Sequence, residues 1–184
     1  MTPVSQRRPL YQPIELLIDE DKIQRRVKEL GLQITRDYAG REPVVVGVLK
    51  GCTVFLADLI RNINLPVEVE FISAASYRKG ARQDKNIEIA DAMTIDLHGR
   101  DLLIVEGIVE TGRTVSRIAQ RLKQLEPASM EIVTLLDKPS AHRPKIELKY
   151  KGFKLGNEFV VGYGLDNTQK YRNLPYIGRV SESR

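Results

Sequence analysis

The chain has 184 residues, 42% of them hydrophobic and 29% charged, with a net charge of +5, one cysteine (Cys52) and two histidines. Such a composition builds one globular domain; it offers no apolar run long enough to span a bilayer and no internal disulfide, and with His98 and His142 far apart it offers no zinc cluster. The positive charge suits nucleic acid or a small polyanion, and equally a lysine-rich solvated surface, so charge alone decides nothing.

The start, MTPVSQRRPLYQP, has two arginines but neither an apolar stretch nor a small-residue cleavage site behind them, so it does not read as a secretory signal and the expectation is a cytoplasmic protein. Ile23, Val27, Leu30 and Ile34 recur at helical spacing, with Asp19 or Asp21 placed to cap and Gly40 to stop. PVVVGVL (43–49) reads as a buried strand, and the turn KGCT leads to a helix with Phe55, Leu56, Leu59 and Ile60 on one face, ended before Pro66. VEVEFIS (67–73) alternates acids and apolar residues, which predicts a strand with its acids outward. SYRKGARQDKN (76–86) is polar and basic and reads as a mobile loop. A strand over 101–106 precedes a loop and a helix whose Val115, Ile118, Ala119, Leu122 and Leu125 form one stripe before Pro127. MEIVTLL (130–136), KIELKY (145–150), FVVGY (159–163) and YIGRV (176–180) complete the strands, the last ones as an appended flap.

Strands separated by single helices imply an α/β fold, a parallel sheet with helices on both faces. Ligands of such a sheet bind at the carboxyl ends of its strands, which gathers Lys50 and Gly51, Glu106 to Thr114, and Asp137 and Lys138 around one crevice. In the turn Glu110–Thr114 the backbone N–H groups and the hydroxyls of Thr111 and Thr114 can converge on a phosphate, helped by the positive end of the next helix, and Gly112 lets the backbone come close. A plain capped strand-to-helix turn would explain Thr114 but would leave Glu106 and Glu110 without a purpose. GIVETGRT (107–114) also fits a P-loop at every position except the lysine, where Arg113 stands. The missing lysine, the acid inside the cradle, and Asp137 followed by Lys-Pro argue against a nucleotide triphosphatase.

Acids beside a phosphate cradle suit a sugar phosphate, whose hydroxyls or bound metal they can reach. VEGIVETGRT resembles the phosphoribosyl-pyrophosphate motif of the phosphoribosyltransferases; VLKG (48–51), LLDKP (135–139) and EFVVGYGLDNTQKYRNLPYIG (158–178) are similar to hypoxanthine-guanine phosphoribosyltransferases, with the resemblance running from about residue 15 to 180. It implies a type I phosphoribosyltransferase-like fold: one domain over 1–184, with a polar N-terminal arm (1–14), a mobile lid (74–86) and a hood or flap within 145–180. It implies purine salvage, the transfer of a phosphoribosyl group from phosphoribosyl pyrophosphate to hypoxanthine or guanine, giving IMP or GMP and pyrophosphate. Homodimers or homotetramers are the family's assemblies, and no membrane or nucleic-acid partner is expected.

Residue by residue, the resemblance makes Glu110 the general base toward purine N7 and puts Glu106 on the ribose hydroxyls or their magnesium. Thr111, Gly112, Arg113 and Thr114 hold the 5-phosphate; Lys50, Gly51 and Arg172 bind pyrophosphate, the family having a cis peptide before that lysine. Lys138 donates to purine O6, Phe159 stacks on the base, the Val160 backbone reads its edge, and Asp166 is a purine-side residue and magnesium ligand. Ser76 and Tyr77 belong to the lid. The motif has two adjacent acids where this chain has Glu106 and Gly107, and an aspartate where it has Glu110, which predicts slowed or metal-weakened turnover that Gly107→Asp or Glu110→Asp would restore. The competing expectation is a non-catalytic sensor or RNA regulator on the same fold; basic residues not interleaved with aromatics argue against RNA.

Overall fold

Residues 14–76, 87–91, 95–143 and 146–180 are described by a computed structural model. Its elements are β1 (Ile14–Ile18), α1 (Glu20–Asp37), β2 (Val44–Leu49), α2 (Thr53–Ile60), β3 (Glu68–Ser76), β4 (Ile87–Asp91), β5 (Asp101–Val109), α3 (Arg113–Lys123), β6 (Ser129–Asp137), β7 (Tyr150–Lys154), β8 (Val160–Val161) and β9 (Ile177–Val180). The main sheet runs β4-β3-β2-β5-β6-β7, and β1-β9-β8 form a second, antiparallel sheet. Within the main sheet β3, β2, β5, β6 and β7 are parallel and β4 lies antiparallel at the edge.

The unbroken apolar runs of β2 and β5 follow from a sheet covered on both faces. Val45, Leu103 and Val105 join Ile23, Val27, Leu30 and Ile34 of α1 and Phe55, Leu56 and Leu59 of α2 in one cluster. Their strand neighbours Val44, Val46, Val48, Leu102 and Ile104 face the other way, against Val115, Ile118 and Leu122 of α3. α1 starts where Asp19 accepts from the Lys22 N–H at 2.8 Å, as its capping pattern predicts. Val160, Tyr163, Leu165 and Ile177 of the smaller sheet and its following turn pack into the α1/α2 cluster, which seats that hood at one end of the main sheet. Tyr163 also donates to Asp58 of α2 at 2.5 Å, and Asp58 accepts from Gln24 of α1 at 2.9 Å. Among the described residues no helix is long and apolar enough to cross a membrane.

Several expectations need correcting. On β3 the alternation fails in its middle: Glu70 is buried and Val69 and Phe71 are exposed, while Glu68 stays outward and Ile72 inward as expected; Phe71 lies over Gly47, where a Cβ would meet its ring at 3.0 Å. The strand predicted over 145–150 begins only at Tyr150 and continues to Lys154, since pairing with β6 sets in at Val133 and Tyr150. β5 extends three residues beyond Glu106, so Gly107 lies inside a strand and opens no loop. FVVGY shortens to Val160–Val161; positive φ angles at Gly162, Tyr163 and Gly164 turn the chain there. Ile14–Ile18, next to the predicted arm, pairs antiparallel with β9. Residues 77–86, most of the predicted lid including Tyr77, and the side chain of Ser76 lie outside the described residues.

Candidate active site

Parallel pairing of β5 with β6 aligns Val109 with Asp137, so the residues that follow the two strands, Glu110 and Lys138, emerge side by side. Lys138 Nζ donates to Glu110 Oε1 in a close ion pair, with the lysine side chain almost wholly buried and the glutamate half exposed. Lys138 is therefore no solvated surface lysine; its charge is held at the mouth of the cleft. Its own backbone N–H donates to Val109 O at 2.9 Å, which locks the two strand ends together.

Glu106, Glu110, Thr111, Gly112, Thr114 and Asp166 line one cleft of about 420 Å³, with Ile108, Val109 and Val115 as its apolar wall. Gly112 has φ +77° and is the N-cap of α3, with no side-chain cap over the first turn. A residue with a Cβ is disfavoured in that conformation, and the N–H groups at the start of the helix, which Gly112 does not cap with a side chain, can face an anion. Arg113 begins α3 with an exposed side chain outside the cleft lining, its N–H 3.4 Å from Thr111 Oγ1.

Glu106 is partly buried and accepts from the Gly107 N–H at 3.0 Å. Loss of hydration pushes its carboxyl up to about 8, and the Gly107 and Ile108 N–H groups pull weakly the other way. A carboxyl raised on folding binds its proton more tightly in the native state, so its contribution to stability is complete below about pH 4.5 and is lost as pH rises toward 8. Glu106→Gln should remove that loss. Its melting temperature relative to the parent is expected to climb between pH 5 and 8 by an amount equivalent to about 2 kcal/mol, while turnover falls; an offset that does not change with pH would contradict this origin.

Lys50 is exposed at the end of β2, after a cis Leu49–Lys50 peptide. Gly51 sits deeper, its carbonyl wedged between Gly107 and Gly164: a Cβ at position 107 would stand 2.7 Å from Gly51 O, and one at 164 only 2.6 Å from it. That contact revises the reading of Gly107 as a simple vacancy for an acid. The slowed turnover expected from Gly107 and Glu110 finds no support: Gly107 gives room to the Lys50–Gly51 loop, and Glu110 pairs with Lys138. Neighbouring Cys52 is fully buried, and burial pushes its thiol up to about 12, which makes it inert rather than reactive.

On the hood, Asp166 Oδ1 and Arg172 Nη2 are 2.7 Å apart, Asp166 Oδ2 accepts from the Gln169 N–H at 2.8 Å, and Arg172 Nη1 donates to Gly164 O at 2.7 Å. This network braces the hood turn against the Gly51 loop. Phe159 is 53% exposed, so the alternative of a core phenylalanine fails, whereas Val160 is buried. Neither Phe159, Val160, Lys50 nor Arg172 lines the cleft itself. Sequence reasoning gave no role to Gly164, although it lies within the quoted stretch 158–178, and missed the packing of Asp137 with His142, which the short spacing around Pro139 could have signalled. No group of three or more His, Cys, Asp or Glu side chains gathers among the described residues. Three carboxylates, Glu106, Glu110 and Asp166, line one cleft; with Glu110 paired to Lys138, Glu106 and Asp166 are a donor set that fits magnesium, which takes one or two carboxylates and fills its shell with water and substrate phosphate oxygens.

A phosphoribosyl transferase domain model matches residues 17–168. The hypoxanthine-guanine phosphoribosyltransferase of Streptococcus pneumoniae is 44% identical over 168 residues, covering 91% of this chain and 93% of that protein. A crystal structure of a hypoxanthine-guanine phosphoribosyltransferase from Bacillus anthracis aligns with a TM-score of 0.87 at 39% identity, over 93% of this chain and 100% of that one. The chain also matches the bifunctional TilS/HprT protein of Listeria monocytogenes at 44% identity, spanning 25% of its length. Fold, motif and these likenesses agree: the chain belongs to the hypoxanthine-guanine phosphoribosyltransferases of the phosphoribosyl transferase domain family.

Proposed function

We propose that this protein is a purine-salvage enzyme that transfers the 5-phosphoribosyl group of phosphoribosyl pyrophosphate to hypoxanthine or guanine, releasing pyrophosphate and IMP or GMP. The observation that carries the reading is the single cleft in which a phosphate turn, the carboxylates Glu106 and Glu110 and, through Glu110, the ammonium of Lys138 converge. A phosphate cradle alone would serve any nucleotide; acids on either side of it serve a sugar and a base.

Each residue then has a task. Thr111, Gly112 and Thr114, with the N–H groups of the α3 first turn and the charge of Arg113, hold the 5-phosphate. Lys50, the Gly51 backbone and Arg172 take the charge of the departing pyrophosphate. Lys138 donates to purine O6 and Glu110 handles the N7 proton, so the pair met in the free protein opens when the base enters between them. Phe159 stacks on the base and the Val160 backbone reads its edge. Displacement at ribose C1 builds positive charge on the sugar, which Glu106 offsets from below. Glu106 and Asp166, with the substrate's own oxygens, would hold magnesium, which would supply neutralisation of pyrophosphate charge. Residues 74–86, with Ser76 and Tyr77, close over the site and exclude water. The 184 residues act as one domain, in a homodimer or homotetramer of the cytoplasm.

The experiment is to incubate the protein with phosphoribosyl pyrophosphate, magnesium and hypoxanthine, guanine or xanthine in turn, and to measure both nucleotide formation and ligand binding. Formation of IMP or GMP is expected. Binding of purine and phosphoribosyl pyrophosphate without product would instead support a sensor.

A further inference from the structure

One buried Asp–His contact beside the cleft has no part in that scheme. Asp137 ends β6 and is 2% exposed. His142 follows the short 3-10 turn Pro139–Ala141, and its ring folds back until Nε2 is 2.8 Å from Asp137 Oδ1, with both side chains largely buried. Neither atom has an aligned hydrogen bond among the described residues, so the two polar atoms have this close approach to each other as their contact. The two residues close a bracket anchored at both ends. Leu155 N donates to Asp137 O at 2.8 Å beside β7, and Arg143 N donates to Thr111 O at 2.7 Å on the phosphate turn. Lys138 sits inside the bracket, its carbonyl accepting from the Ala141 N–H at 3.0 Å.

We infer that His142 is a positioning residue: paired with Asp137, it fixes the turn that carries Lys138 and ties the purine end of the cleft to the phosphate turn. The physical argument is a competition for partners. A buried carboxylate without partners is costly, and the neighbouring residue along the chain, Lys138, carries an ammonium that the cleft needs beside Glu110. With the His142 ring against Asp137, Lys138 is left for Glu110 and for a purine. The same bracket passes through Arg143 to Thr111, so loosening it disturbs both ends of a nucleotide lying along the cleft.

The inference rests on the purine-nucleotide reading of the site, and its test separates the two. Affinity for IMP is measured by calorimetry, alongside the KM for hypoxanthine, kcat and melting temperature, for the full chain and for His142→Ala, His142→Arg and the double variant Asp137→Asn/His142→Ala. His142→Ala is expected to weaken IMP binding and raise the hypoxanthine KM about tenfold while kcat changes little. His142→Arg, which returns an N–H donor to Asp137, should recover most of the loss, and the double variant should bind IMP better than His142→Ala because the unpaired carboxylate is gone. IMP binding and KM unchanged in His142→Ala overturn the inference. So does a loss that His142→Arg does not recover and Asp137→Asn does not relieve, the mark of a merely structural role. If His142→Ala fails to fold, the other two variants carry the same decision against the parent. A parent that binds IMP but forms none removes the transferase reading and leaves this test intact; a parent that does not bind IMP overturns both.

Discussion

Glu110→Gln is expected to lower kcat by about 10²- to 10³-fold while the protein stays folded. The amide keeps an oxygen that can accept from Lys138 Nζ, so the contact between the two strand ends persists in the variant, but it cannot take a proton from purine N7. Glu110→Ala removes both functions. It leaves an ammonium that is 6% exposed without its carboxylate, and because Glu110 itself is half in solvent the stability loss should be about 2 kcal/mol, below that of a fully buried broken pair. Glu110→Asp keeps a carboxylate and should give turnover of the same order as the parent. Steady-state kinetics with saturating substrates, read beside urea denaturation, separate these outcomes. A Glu110→Gln variant with parental kcat would remove Glu110 from proton transfer.

Gly107→Asp should lower kcat/KM for phosphoribosyl pyrophosphate by about 10²-fold, although it supplies an acid that the family motif has at this position. The reason is steric. A Cβ on residue 107 meets Gly51 O at 2.7 Å, Gly51 C at 3.0 Å and Leu165 Cδ2 at 3.1 Å, and the first two are backbone atoms that cannot swing aside. The Lys50–Gly51 loop must move, and a displacement of about 1 Å in a substrate-positioning group costs two orders of magnitude. Gly107→Ala, without the charge, should shift the same parameter in the same direction. The KM for the purine, whose proposed site is across the cleft at Lys138, should stay close to the parental value in both. Faster turnover in Gly107→Asp would restore the view that the position merely lacks an acid.

These two positions mark the boundary of what the sequence makes legible. The apolar runs of β2, β5 and β6, the Asp19 cap and the threonine-rich turn after β5 are local signals, and each stands where its residues place it. The Glu110–Lys138 pair joins residues 28 apart in the chain, yet it follows from two parallel strands in register, so the crevice itself could be placed. The constraint on Gly107 could not be read, because it comes from Gly51 and Leu165, which reach it through the fold and not along the chain. The same holds for Ile14–Ile18, whose strand character depends on β9 more than 150 residues later. On β3 alternation marks two faces but does not say which one the rest of the molecule covers; Glu70 went inside and Phe71 out.

Hood and loop share one further lesson about local rules. Tyr163 has φ +46°, a conformation uncommon for a residue with a side chain, and it is held there by the hydrogen bond to Asp58 and by burial in the α1/α2 cluster. Burial and that carboxylate also push its phenol above the usual range, which keeps it a proton donor. The turn that follows carries Gly164 against the Gly51 carbonyl and Asp166 into the cleft. Placement of the loop that carries Lys50 is thus set from both sides, by β5 and by the hood.

The central claim is that this cleft joins a purine to a ribose phosphate rather than merely holding either one. It is tested most directly by following nucleotide and pyrophosphate together in a single reaction of the parent protein with phosphoribosyl pyrophosphate, magnesium and hypoxanthine. The account predicts IMP and pyrophosphate appearing in equal amounts and only when the purine is present. Pyrophosphate released without nucleotide, or neither product from a folded protein that binds both substrates, would contradict it.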